Sequence, residues 1–282
     1  MRLDPQLIPV GLSLIAVFSW GGSDFLGGLA TRRVNAFLFT TFVHAAGVLV
    51  MGSVVVVTHA PVPSRHAILW AFTSGAIGGV ALAIFYRALS LGNMGLTTPV
   101  AAVLGAAIPT VLEIAKEGSP GTIPVLGFVV AGLGVWLISR SEGGAARPKG
   151  LGLAVLAGIG FAGFYLCVHQ AGNESASWIA TLSRIASLAV TGAIVLVSGG
   201  RQKISRDLVL MAIAAGTLDV TGTVVFLMAS QAGRLDAAVV LSSLYPAITV
   251  LLARIILKEH FTRWKAVGMI AALAAVPMIA MQ

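Results

Sequence analysis

Ten apolar runs separated by short polar breaks fill the chain. They fall at about 7–29, 36–58, 67–91, 96–115, 122–139, 150–171, 176–198, 208–232, 237–257 and 264–281. Runs of about 18–25 residues, at 1.5 Å rise per residue, cross a hydrocarbon layer about 30 Å thick with some tilt. Helix is predicted over strand because a backbone inside lipid has to satisfy its own hydrogen bonds. The breaks carry turn residues, as in Ala60-Pro61-Val62-Pro63-Ser64, Gly92-Asn93-Met94-Gly95, Gly118-Ser119-Pro120-Gly121 and Gly199-Gly200-Arg201. The longest break, about residues 140–149, is polar and contains Gly143, Gly144 and Pro148. No stretch is left for a soluble domain. The run at 7–29 is too long for a secretory signal core and reads as a retained first helix. The pattern predicts an all-α integral membrane protein with ten transmembrane helices.

The pattern also repeats. Sliding the sequence by 141 residues, half its length, aligns its halves without a gap at more than 20 identities. These include Gly11/Gly152, Gly22/Gly163, Gly75/Gly216, Gly92/Gly233 and Gly127/Gly268, together with Ser64/Ser205, Arg65/Arg206, Phe85/Phe226 and Ala88/Ala229. Such a repeat defines two five-helix units, residues 1–141 and 142–282, within one membrane domain. Five is odd, so the second unit has to enter the membrane from the opposite side. The expectation is an inverted repeat, an arrangement of many secondary transporters, with a cavity between the halves.

Composition agrees with the membrane reading and adds an orientation. The chain is 57% hydrophobic and 10% charged, with a mean hydropathy of +0.97; a soluble domain carries about 25% charge. The net charge of +8 does not mark a nucleic-acid partner, because the basic residues sit in short gaps between the apolar runs and form no long basic face or tail. Twelve of them (Arg32, Arg33, Arg140, Arg147, Lys149, Arg201, Lys203, Arg206, Arg254, Lys258, Arg263, Lys265) fall on one predicted side. Four (Arg2, Arg65, Lys116, Arg234) fall on the other. The positive side is expected to be cytoplasmic, with both termini outside. The single cysteine, Cys167, excludes an internal disulfide.

Several stretches resemble a known family. They are Ser19-Trp20-Gly21-Gly22-Ser23 in the first run, Phe85-Tyr86-Arg87-Ala88-Leu89-Ser90-Leu91-Gly92 closing the third, and Thr98-Pro99-Val100-Ala101-Ala102 in the fourth. In the ninth they are Leu244-Tyr245-Pro246 and then Leu257-Lys258-Glu259. With the five-plus-five layout, these resemble the EamA-type permeases of the drug/metabolite transporter superfamily. In the first half the matching proline, Pro109, comes four residues late, and Lys116-Glu117 lacks the leucine spacing. The resemblance implies a secondary carrier of small polar metabolites, amino-acid-like or related, working as an exporter in a bacterial inner membrane.

Ionisable groups inside a span are costly and face a cavity or a partner. Arg87, Glu113, His169 and Arg254 lie within about one turn of a run's end and are expected at the interface. Asp219 lies near the middle of the eighth run, with Gly216, Gly222 and Thr223 on its face; its mate one repeat away is Gly78. Arg184 is set to attract an anion or pair with an acid. Asp24 follows two glycines expected to loosen the helix, shares a face with Trp20 and has Tyr165 as its mate. His44 and the aromatics Trp20, Tyr86, Tyr165 and Tyr245 complete the candidate site, with Pro246 expected to kink the chain after Tyr245. Asp219 is the candidate for proton coupling.

Gly158-Ile159-Gly160-Phe161-Ala162-Gly163 matches a dinucleotide fingerprint by letter but sits inside a span without a strand before it, and reads as helix packing. Asn173-Glu174-Ser175 matches a glycosylation sequon in a loop of a few residues, and is set aside. No cofactor or metal motif is present. The expected partners are a small-molecule substrate, membrane lipid and a proton. Two other functions stay open at this point: an intramembrane lipid-modifying enzyme and a non-transporting subunit of a membrane complex.

Overall fold

The structure is a computed structural model that describes residues 7–91, 94–117, 121–139, 149–172, 174–200, 202–232 and 244–280. The described residues form ten helices and no strand. These are α1 (Leu7–Ala30), α2 (Ala36–Thr58), α3 (Arg65–Leu91), α4 (Met94–Glu117) and α5 (Thr122–Ser139). The second five are α6 (Leu151–Gln170), α7 (Ala176–Val197), α8 (Arg206–Ala232), α9 (Tyr245–Ile256) and α10 (Arg263–Ala280). Among the described residues six helices, α1, α2, α3, α6, α7 and α8, are long and apolar enough to cross a membrane. The bundle's outer surface is apolar as lipid requires, with Leu49, Val56, Val57, Leu69, Trp136, Leu196, Leu210 and Ile270 exposed.

Two local expectations are corrected. Gly21 and Gly22 do not loosen α1, which is continuous through them. They let neighbours approach: a Cβ on Gly21 would lie 2.7 Å from the Tyr245 carbonyl of α9, and one on Gly22 would lie 3.3 Å from Leu218 of α8. Pro246 does not kink a long helix either. It sits in the first turn of α9, where its missing N–H costs nothing. The rest of the ninth predicted run falls on residues 233–243, outside the described residues.

Most of the main helix pairings are matched under a shift of five helices, although the contact of α4 with α10 has no counterpart of similar extent among the described residues. Raising or lowering each helix number by five turns the contact of α1 with α8 into that of α6 with α3. It likewise exchanges α2–α8 with α7–α3, and α1–α9 with α6–α4, while α2–α7, α4–α9 and α5–α10 map onto themselves. Matching glycines make the matching contacts. Gly75 of α3 lies against the Ser183 carbonyl of α7, and its mate Gly216 of α8 lies against the Val43 carbonyl of α2. A methyl group at either would strike backbone, so only glycine permits this closeness. Gly158 and Gly160 likewise meet Ala101 of α4 and Ala81 of α3, so the glycine run of α6 is packing surface.

The ends are tied by polar side chains. Asn35 accepts a hydrogen bond from the Leu38 N–H at 3.2 Å to cap α2, and Ser64 accepts one from Ala67 at 3.2 Å in α3. Glu259 is buried and receives the first N–H groups of α4, Met94 at 3.0 Å and Gly95 at 3.1 Å. Arg32 stands 3.7 Å from the same carboxylate, so three inter-helix regions converge there. At the end of the bundle where α1 meets α2, Arg33 pairs with Asp207 at 2.6 Å. At the opposite end of α2, Glu174 accepts the Ser64 N–H at 2.7 Å, and the Trp178 indole donates to the Ala60 carbonyl at 2.9 Å. Hydrogen bonding from Ser64 holds the Glu174 carboxyl below its ordinary value of 4.5.

Candidate functional site

Four ionisable side chains on four of the central helices are buried: Asp24 on α1, His44 on α2, Arg184 on α7 and Asp219 on α8. Arg87, His169 and Arg254, expected at the interface, are exposed, while the Glu113 side chain lies outside what the structure describes. Helix length sets the depth of the buried groups. Asp219 follows the start of α8 by 13 residues, about 20 Å along the axis, near its middle.

These groups border one cavity. Its lining includes Trp20 and Asp24 of α1, His44 of α2, Gly78 and Leu82 of α3, and Phe161, Phe164 and Tyr165 of α6. Arg184 of α7, Asp219 and Thr223 of α8 and Tyr245 of α9 complete it. Seven of the eight candidates from the sequence therefore come together. Tyr86 does not line the cavity. Its ring packs flat against Gly27, and its hydroxyl donates to Ser23 Oγ at 3.0 Å, because the Ser23 proton is given to the Ala215 carbonyl at 2.9 Å. That chain fastens α3 to α1 and α1 to α8 just behind the cavity.

Arg184 is committed within the protein. Its Nε lies 2.9 Å from Asp219 Oδ2, although neither atom makes an aligned hydrogen bond; the contact is an ion pair across the α7–α8 boundary. Its Nη2 donates to Thr223 Oγ1 at 2.7 Å, and the Thr223 hydroxyl donates to the Asp219 carbonyl at 3.0 Å. Thr223 follows Asp219 by one turn, so one face of α8 supplies both groups. No cation among the described residues pairs with Asp24. His44 is 1% exposed and both of its ring nitrogens lack a hydrogen-bond partner. The aromatic rings form a connected chain: edge-to-face contacts join Trp20 to Tyr245 at 5.8 Å, Phe226 to Tyr165 at 6.4 Å and Tyr165 to Phe164 at 5.4 Å, and a tilted contact joins Trp20 to Phe226 at 5.4 Å.

Gly78, Leu82, Phe161, Phe164 and Thr223 were not among the candidates. Apolar residues give no chemical signal in so apolar a chain. The repeat register does point to two of them from the candidates, as mates of Asp219 (Gly78) and Trp20 (Phe161), and Thr223 shares the face of Asp219. Phe164, the mate of Ser23, has no such pointer. Among the described residues no group of three His, Cys, Asp or Glu side chains is placed to hold a metal ion.

Residues 148–281 match the model of the EamA-like transporter family. The chain is an EamA-type member of the drug/metabolite transporter superfamily. The match covers the second half of the chain. A search of curated proteins finds no match. A solved structure described as "Crystal structure of protein" superposes with a TM-score of 0.66 over 96% of this chain and 95% of its own, at 14% identity. At that identity the likeness is one of fold, and it extends over both halves. EamA-type proteins are membrane transporters, not enzymes, and this one is an integral, multi-pass membrane protein.

Proposed function

We propose that the protein is a secondary active transporter that moves small polar metabolites, amino-acid-like or related compounds, by alternating access between two inverted five-helix repeats. Residues 1–141 and 142–282 are the two units, each contributing five spans. The observation that carries this reading is the cavity itself. Buried acid, base and aromatic groups from both halves face one space, where an apolar chain would otherwise bear an insertion cost of about 2.5–3.5 kcal/mol for each charged group. The exchange of helix contacts under a five-helix shift supports the repeat, and the odd helix number supports its inversion.

Asp219 is the coupling group of this scheme and the proton the coupling ion, with Arg184 as its partner in the proton-free state. Asp24, His44, Trp20, Tyr165 and Tyr245 are the substrate-facing groups, and Tyr86 supports Ser23 behind them. The bias of basic residues supports an orientation with both termini outside the cytoplasm, in a bacterial inner membrane, with export as the direction. Reconstitution into proteoliposomes tests the reading. Purified protein is expected to exchange labelled solute alone and to accumulate it under a pH gradient. Exchange that appears only with a second protein would make the chain a subunit instead. An active cytoplasmic reporter fused at Gln282 would reverse the orientation.

A further inference from the structure

The charges that border the cavity do not balance. Two acids and one arginine line it, and Arg184 is already held by Asp219 and Thr223. A substrate anion would have to displace Asp219 to reach the guanidinium. Asp24 has no cationic partner among the described residues, and it stands one turn from Trp20 on α1. Trp20 touches Tyr245 edge-on and reaches Tyr165 through Phe226. We propose that the cavity receives a compact organic cation, an ammonium head group, between the Asp24 carboxylate and the rings of Trp20, Tyr165 and Tyr245. This rests on the transporter reading and names the substrate class of the same site.

Three features of the cavity fit that ligand. The faces of Trp and Tyr rings attract a cation, by about 2 kcal/mol or more when water is excluded. Second, the fixed acid supplies the counter-charge, so a substrate cation replaces a missing partner where an anion would add a second unpaired charge. Third, the space is small. It admits water centres over about 60 Å³, which at about 10–15 Å³ per centre is about four to six waters, or about 120–180 Å³ of liquid. A trimethylated nitrogen is on the scale of that space. His44, buried with both nitrogens unpartnered, offers one donor and one acceptor as a neutral imidazole. It is placed to meet an N–H or a hydroxyl carried by the cation, which gives its burial a reason.

A series of solutes of similar bulk and different charge tests the proposal. Tetramethylammonium, tert-butanol, pivalate and glycine betaine are titrated calorimetrically into the detergent-purified protein. Tetramethylammonium is expected to bind at least about tenfold more tightly than tert-butanol, with pivalate silent. Asp24→Asn is expected to lower that affinity about tenfold or more, Asp24→Glu to retain most of it, and Tyr165→Phe to change it by less than about threefold, because the ring face is kept. Melting curves establish which variants are folded, and the wild-type charge series decides the matter if Asp24→Asn is not. Equal binding of tetramethylammonium and tert-butanol, tighter binding of pivalate, or an unaltered affinity in folded Asp24→Asn would overturn the cation assignment. Liposomes separate the two readings. Exchange of an anion or zwitterion that tetramethylammonium does not inhibit refutes the cation class and leaves the transporter standing. Binding of tetramethylammonium without exchange of any solute refutes the transporter and leaves the cation site standing.

Discussion

Where α1 crosses α8, the cavity wall is Trp20, Asp24, Asp219 and Thr223; where α3 crosses α6, the positions one repeat away are Phe161, Tyr165, Gly78 and Leu82. The two crossings are the same contact made twice. Gly22 of α1 meets Leu218 of α8, and their mates Gly163 and Ile77 meet in α6 and α3. The backbone frame is thus repeated while the chemistry is not: one wall holds both acids and the other holds aromatic and small residues. Burial cost gives the reason. Each centrally placed charge costs about 2.5–3.5 kcal/mol, so a second copy of the charged wall would double that cost and set like charges against each other. One polar wall facing one apolar wall also orients an amphipathic solute.

The two ends of the bundle differ in the same way. Arg33 and Asp207 pair at one end, and their mates, Glu174 and His66, lie at the other. The acid and the base have changed places between the repeats. Glu174 holds the Ser64 N–H while His66 contacts the Gln170 carbonyl at 3.0 Å.

The largest expected effect comes from removing the acid that the apolar wall lacks. Asp219→Asn should abolish pH-driven accumulation in proteoliposomes, with exchange in the absence of a gradient surviving. Wild-type gradient dependence in that variant would assign Asp219 to packing and leave Asp24 as the coupling candidate. The same change leaves Arg184 buried without its counter-charge, a loss of about 3–5 kcal/mol on general grounds. A double variant, Asp219→Asn with Arg184→Gln, should therefore melt higher than Asp219→Asn alone.

A swap across the walls probes the symmetry more finely. Exchanging Asp24 and Tyr165, as Asp24→Tyr with Tyr165→Asp, returns the acid to the cavity from the opposite wall. Tetramethylammonium affinity should recover to within about tenfold of wild type. Affinity as low as in Asp24→Asn would mean that the walls are not interchangeable for the ligand.

Thr223→Leu installs on the polar wall the residue found at its mate. It removes the acceptor for Arg184 Nη2, and the loss of a hydrogen bond to a charged group is worth about 1.5–3 kcal/mol. The reciprocal Leu82→Thr should cost less, about 1 kcal/mol. Thermal unfolding in one detergent ranks the pair, and the reverse order would contradict the assignment of Thr223 to the arginine.

The smallest effect is expected at the end that carries Glu174. Its carboxyl is held below 4.5 by hydrogen bonding from Ser64, with desolvation opposing. A carboxyl with a lowered value in the folded state stabilises that state fully above its ordinary value and loses this as pH falls through the lowered one. Glu174→Gln should then match wild type in local amide exchange near Ser64 only in acid, and exchange faster above about pH 4.5. A difference between the two proteins that persists unchanged into acid would show that the contact does not depend on the charge.

The helix boundaries were legible because each is set by short-range chemistry. Asn35 and Ser175 stand just before the runs predicted from 36 and 176 and accept capping N–H groups in α2 and α7, while Ser64 caps α3 two residues ahead of the predicted start. The kink expected at Pro246 was a misreading because proline is compatible with both a kink and a first turn, and sequence alone does not choose. The buried ionisable groups were legible from their depth in apolar runs. Phe164 and Leu82 were not, since an apolar side chain inside a span is ordinary.

What the sequence determined by itself was an all-helical membrane chain, the 141-residue register and the depth of Asp24, His44, Arg184 and Asp219. Periodicity and burial cost act along a single helix, and the chain states them directly. Tertiary structure alone decided who faces whom. Arg184 pairs with Asp219 and leaves Asp24 to the aromatic rings, and Tyr86 turns away to Ser23. Those choices depend on the rotation of each helix about its axis, and that rotation is fixed only where glycines such as Gly75 and Gly216 let a particular neighbour approach.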